Sequence, residues 1–188
     1  MFKEIAITIF SLVTSPGSTW KKLLGKEEDQ DSFLSRFVYP LMGVTALAVF
    51  VSFLLTRATF DLQEALKEMM TILVSLFLGF FSASFLLNEM MVRFFEQTPN
   101  LKLIQRFSGY ALSFTMVVTI IVYLLPDFSF LRFAPLYTFY MVWEGSKYYL
   151  NITDEKRIRF TIFSTLILLL SPEIIKYVMF LIMPGIKI

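Results

Sequence analysis

The stretch MMTILVSLFLGFFSASFLL, Met69–Leu87, contains no charged residue and decides the fold class. A helix rises about 1.5 Å per residue, so about 20 mostly apolar residues cross roughly 30 Å of hydrocarbon. Outward from it lie four more apolar stretches: Val38–Thr56, Phe107–Leu125, Leu131–Leu150 and Phe160–Met183. Val38–Thr56 and Phe107–Leu125 are as clean as Met69–Leu87, whereas polar residues interrupt the last two. The pattern predicts an all-α membrane protein of five transmembrane helices preceded by a short interfacial amphipathic helix. Under this reading residues 1–37 form an N-terminal region and residues 38–188 the transmembrane domain.

Composition agrees. The chain is 56% hydrophobic and 17% charged, against about 45–50% and about 25% in soluble domains. Five spans in 188 residues leave little chain for a soluble domain. There is no Cys and no His, which excludes disulfides, thiolate chemistry, imidazole bases and the commonest metal ligands. No cofactor is expected, although a carboxylate-only metal or proton site stays open. A net charge of +2 without a basic aromatic groove gives no reason to expect nucleic acid. The 22 Phe residues are read as contact with the lipid bilayer, which exerts no penalty on them.

Charge alternates between the stretches. Lys3, Lys21, Lys22, Lys26 and Arg36 precede the first. Arg93, Lys102 and Arg106 fall between the second and third, and Lys147, Lys156, Arg157 and Arg159 around the fourth connection. Arg57, Lys67, Arg132, Lys176 and Lys187 fall on the other side. Cytoplasmic loops carry the excess of Lys and Arg. The N-terminus is therefore expected in the cytoplasm and the C-terminus on the far side, in the inner membrane if the source is bacterial.

Near the N-terminus, Phe2, Ile5, Ala6, Ile9, Phe10 and Val13 recur at helical spacing, and Pro16-Gly17 ends the stretch. It is too short to span. A signal peptide fits less well than a helix along the cytoplasmic surface, because Glu4 interrupts the apolar part and no small-residue cleavage site follows. Trp20 beside Lys21 and Lys22 would then lie in the headgroup layer. Gly25–Asp31 reads as a solvated polar loop.

Within the second stretch, Ser75, Gly79 and Ala83 form a small-residue ribbon that lets a neighbouring backbone approach closely. Packing within the chain and a homo-oligomer seam both fit. Glu64, Lys67 and Glu68 form an amphipathic lead-in on the outer side. In the fourth stretch the uninterrupted apolar part, Phe133–Trp143, covers only about 16 Å as a helix. Glu144 and Lys147 follow, three apart, so they can pair. Either they snorkel at the interface, or Glu144 lies partly within the membrane and marks a functional site. In the fifth, Ser171-Pro172-Glu173 reads as a proline kink or as a broken helix whose second half starts at Pro172. Glu173 and Lys176 are again three apart. Asp127 beside Pro126 reads as an outer turn. No Gly-rich phosphate loop, nucleophile–base pair or carboxylate cluster emerges, and no enzyme activity is expected.

The chain resembles the Yip family, named for Ypt-interacting proteins, in its bacterial branch of five-span proteins. The resemblance covers nearly the whole chain. It rests on a short helix leading into Ser15-Pro16-Gly17-Ser18-Thr19-Trp20-Lys21-Lys22, on Gly109-Tyr110, and on Tyr140, Trp143 and Gly145 in the fourth stretch. Pro16, Trp20, Gly109, Tyr110 and Gly145 are the family-motif residues. Eukaryotic relatives bind prenylated GTPases and one another through a cytoplasmic N-terminal region. This chain lacks their Asp-Leu-Tyr-Gly-Pro motif and has a short pre-span region, so GTPase binding is not carried over. The resemblance implies a non-enzymatic membrane-organising or partner-binding scaffold, with protein partners or a homo-oligomer. The alternative is a small transporter or lipid-handling protein in which Arg132, Glu144, Lys147, Glu173 and Lys176 line a cavity.

Overall fold

The computed structural model describes residues 1–26, 29–57 and 60–182, and all regular structure among them is helical. Glu27, Glu28 and the chain beyond Ile182, including Met183 and Lys187, lie outside the described residues. The helices are α1 (Phe2–Thr14), α2 (Pro16–Leu24), α3 (Gln30–Phe33), α4 (Tyr39–Thr56), α5 (Leu62–Phe95), α6 (Leu101–Leu124), α7 (Thr138–Tyr148) and α8 (Asp154–Ile182). A π-helical turn, Leu34–Val38, joins α3 to α4, and a 3₁₀ segment, Pro126–Tyr137, joins α6 to α7.

Among the described residues, four segments are long and apolar enough to cross a membrane: Gln30–Thr56, Leu62–Phe95, Leu101–Leu124 and Asp154–Ile182. Side chains such as Leu47, Leu54, Phe85, Phe163 and Leu170 stay exposed along them, the surface a bilayer covers. The 34 residues of α5 make a rod of about 51 Å, well beyond Met69–Leu87 at both ends. Its start is capped by Asp61, whose carboxylate accepts the Gln63 and Glu64 N–H groups at 2.8 and 3.1 Å.

The fourth stretch departs from the expectation of a fifth long helix. Residues 131–150 are divided between the 3₁₀ segment and the 11-residue α7. Pro126 and Pro135 cannot donate to a helical ladder, and each disfavours α conformation in the residue before it. The 3₁₀ segment also buries none of its residues fully; only near its end does Tyr137 pack, its ring 5.5 Å from Phe114.

The fifth stretch is one helix through Pro172, so the broken-helix reading falls. Ser171 does not cap a second half. Its hydroxyl donates to the Ile167 carbonyl at 2.6 Å, one turn back. Pro172 instead forms a contact: a Cβ on Gly79 would sit 2.6 Å from its Cα. Gly79 thus meets α8 within the same chain, and Ser75 and Ala83, on either side of it along the ribbon, are buried as well.

Phenylalanine serves two solvents. Phe2, Phe10, Phe85 and Phe163 are exposed, but Phe33, Phe37, Phe53, Phe80, Phe95, Phe107 and Phe160 are buried in the core. Reading every Phe as lipid contact was too broad, because aromatic rings also fill space between helices at favourable centroid separations. In α1, Ile5, Ile9 and Leu12 pack inward while Phe2, Ile7 and Phe10 remain exposed. The Tyr137 hydroxyl donates to the Val13 carbonyl at 2.7 Å and ties the end of α1 to the bundle.

Candidate functional site

The motif residues, scattered from position 16 to 145, meet at one end of the bundle. Pro16 opens α2, where its missing N–H and fixed φ suit the first helical position. The Thr19 hydroxyl reaches the Ser15 and Ser11 carbonyls at 2.8 and 3.0 Å and locks α2 against the end of α1. Trp20 is completely buried, contrary to its expected place in the headgroup layer. Its ring lies 5.2 Å from Phe107, 5.1 Å from Tyr149 and 6.0 Å from Tyr110. Its Nε1–H donates to the Met141 carbonyl at 2.9 Å, which satisfies the one polar group this burial would strand.

Two glycines make this possible by close approach. At Gly145 a Cβ would lie 2.7 Å from Phe107 and 2.8 Å from the Trp20 ring. At Gly109 it would lie 2.8 Å from Phe33 and 3.0 Å from Val38. Tyr110, the next residue, meets Phe33 and Phe37 at 4.9 Å each. The motif therefore bolts α2, α3, α6 and α7 together.

Charge is organised around the same bolt. Glu144 does not pair with Lys147. Its Oε1 lies 3.6 Å from Nη2 of Arg157 on α8, and both side chains are largely buried. The Arg157 Nε and Nη2 also donate to the Trp143 carbonyl at 3.1 Å each, and the guanidinium stacks over the Trp143 ring at 4.0 Å. Gly17 leaves room for the Glu144 carboxylate, since a Cβ there would sit 2.6 Å from Oε2. Lys147 is exposed, and Lys21 rests over the Tyr148 ring at 4.4 Å. The pairing expected from three-residue spacing failed because a cation from another helix is better placed and less hydrated.

Glu173, Lys176 and Arg132 lie elsewhere. They line a cleft of about 760 Å³ at the opposite end, with Glu64, Glu68 and Tyr123. The Tyr123 hydroxyl donates to Glu68 Oε1 at 2.6 Å. Glu173 and Lys176 form no ion pair within 4.0 Å among the described residues. The expected single cavity for all five charged residues is thus two separate sites, with the Gly79–Pro172 contact on α5 and α8 between them.

Sequence reading missed Arg157, counted there as one more loop cation. A signal existed: the buried stripe Thr161, Ser164, Leu168 and Ser171 of α8, continued one turn back, lands on Arg157. It also missed the cleft role of Glu64 and Glu68, which requires α5 to run on past its apolar stretch.

No curated protein and no solved structure matches the chain. Residues 10–174 match the family model described as the Yip1 domain, a range that takes in α2, α4 to α7 and α8 as far as Ile174, just past Pro172. With most of its length covered by that model, this integral membrane protein belongs to the Yip1 domain family.

Proposed function

We propose that the protein is a non-enzymatic scaffold that organises membrane or holds a protein partner at its α2 end. The observation that carries this reading is the packing of the motif. Trp20, Gly109, Tyr110 and Gly145 are used in joining helices, and Arg157 and Glu144 neutralise each other. What that end offers outward is a mixed charged surface, with Lys21, Lys22, Lys102, Lys147 and Arg159 exposed alongside Asp29, Asp31, Glu96, Asp154 and Glu155. Its exposed cations suit an acidic segment of a protein partner or anionic lipid headgroups. Transport is the weaker reading, since its polar residues divide between two ends instead of lining one path.

Gentle purification from the native membrane, followed by mass spectrometry, should recover a stoichiometric protein partner. Lys22→Glu with Lys102→Glu should lose it. Purified chain free of any stoichiometric protein would overturn the scaffold.

The topology proposed is five crossings, with the 3₁₀ segment and α7 together making the fourth. Past the kink at Phe128, the rest of the segment rises about 18 Å and α7 about 16 Å, together sufficient for roughly 30 Å of hydrocarbon. Support comes from the chain path: α6 ends beside the cleft, and α8 begins beside the bolt. The basic end is then cytoplasmic. A C-terminal reporter that works only in the cytoplasm should be silent, and an active one would sink this orientation.

A further inference from the structure

The cleft opposite the α2 end is built by the last turns of α4 and α6, the first turns of α5, the 3₁₀ segment and the outer half of α8. At about 760 Å³ it falls within the ~300–1,000 Å³ usual for small-ligand sites. Arg57, Lys67, Arg132 and Lys176 give it cations. Glu64, Glu68 and Glu173 give it carboxylates. Arg132, Glu173 and Lys176 make no ion pair or side-chain hydrogen bond among the described residues, so their charges are available to a ligand. A narrower, mostly apolar pocket of about 40 Å³ lies further in among Ile72, Leu112, Leu168 and Pro172. Thr115 lines both, with its Oγ1 buried and unpartnered.

This lining selects a chemistry. A purely apolar ligand would strip water from charges without replacing it. An anion alone meets three glutamates, and a cation alone meets four basic groups. A phosphate joined to an ammonium satisfies both through charge-assisted hydrogen bonds. Depth agrees, because the cleft begins where the apolar stretches of α4 and α6 end, at the level of headgroups. We propose that the cleft binds the zwitterionic headgroup of an amine phospholipid, its phosphate on the arginines and lysines and its ammonium on the glutamates. The site goes beyond the scaffold reading and does not depend on it.

The test is native mass spectrometry of the purified chain in detergent, titrated with phosphatidylethanolamine, phosphatidylcholine and phosphatidylglycerol of matched acyl chains. Phosphatidylethanolamine should bind about tenfold tighter than either. The choline has no N–H to donate to glutamate, and the glycerol has no cation. Glu173→Gln and Arg132→Gln, both exposed and so tolerated by the fold, should each weaken that binding about fivefold. Soluble phosphoethanolamine that competes would assign recognition to the headgroup alone, free or lipid-borne. Failure to compete would assign it to the lipid. Equal binding of phosphatidylethanolamine and phosphatidylglycerol would overturn the proposal, as would parent-like binding by both variants. Should a variant not fold, the headgroup preference of the parent chain decides.

Discussion

Arg157→Ala is expected to destabilise the folded chain by about 3–5 kcal/mol, the cost of stranding a buried charge. The loss has three parts. Glu144 keeps its carboxylate in a largely buried place and loses the one ion pair it makes within 4.0 Å among the described residues. The Trp143 carbonyl loses two donors, and the indole loses the guanidinium stacked on it. Arg157→Lys should recover little, because an ammonium cannot serve a carbonyl, a carboxylate and a ring face at once. Glu144→Gln should cost less than Arg157→Ala, since Arg157 keeps the Trp143 carbonyl and Asp154 at 3.5 Å. Thermal unfolding in one detergent, followed by circular dichroism, checks the order. An Arg157→Ala protein that melts with the parent would mean that Glu144 is solvated.

Trp20→Ala is expected to cost about 3–5 kcal/mol, as large-to-small changes of buried aromatics do. The site cannot collapse easily, because Gly145 and Phe107 are already in contact across it. Trp20→Phe should cost less, keeping most of the ring contacts and losing the bond to the Met141 carbonyl. Limited proteolysis gives a second measure. Removing Trp20 should expose α1 and α2 to cleavage before the long helices, whereas a Trp20 at the membrane surface would leave the digestion pattern unchanged.

Much of this architecture can be read from apolar run length, and the reasons for the misses are specific. Val38–Thr56, Met69–Leu87 and, all but Leu125, Phe107–Leu125 lie within long helices, because hydrocarbon leaves a backbone few alternatives. Leu131–Leu150 misled because hydropathy does not register what Pro126 and Pro135 do to a helical ladder. Pro172 misled in the opposite direction: it looked like a break, and α8 uses its ring and backbone as a packing surface for Gly79. The motif residues were visible as a set, but spacing cannot reveal that Gly145 exists to admit Trp20. Local pairing rules for Glu144–Lys147 and Glu173–Lys176 saw one helix at a time. The charges answer instead to a neighbouring helix in one case and to an open cleft in the other.

The bond from Trp20 to Met141 spans 121 residues, and that separation sets a timetable for biogenesis. Ribosomes add about 5–20 residues per second, so α2 leaves the exit tunnel roughly 6–24 s before its partner strip on α7 has been made. During that interval the indole has no core to enter. Its amphipathic ring and the flanking Lys21 and Lys22 suit it to rest among lipid headgroups. The bond from Trp20 therefore cannot close until α7 arrives, and it closes a loop of 121 residues. Arg157 of α8, made later still, then completes the same end of the bundle.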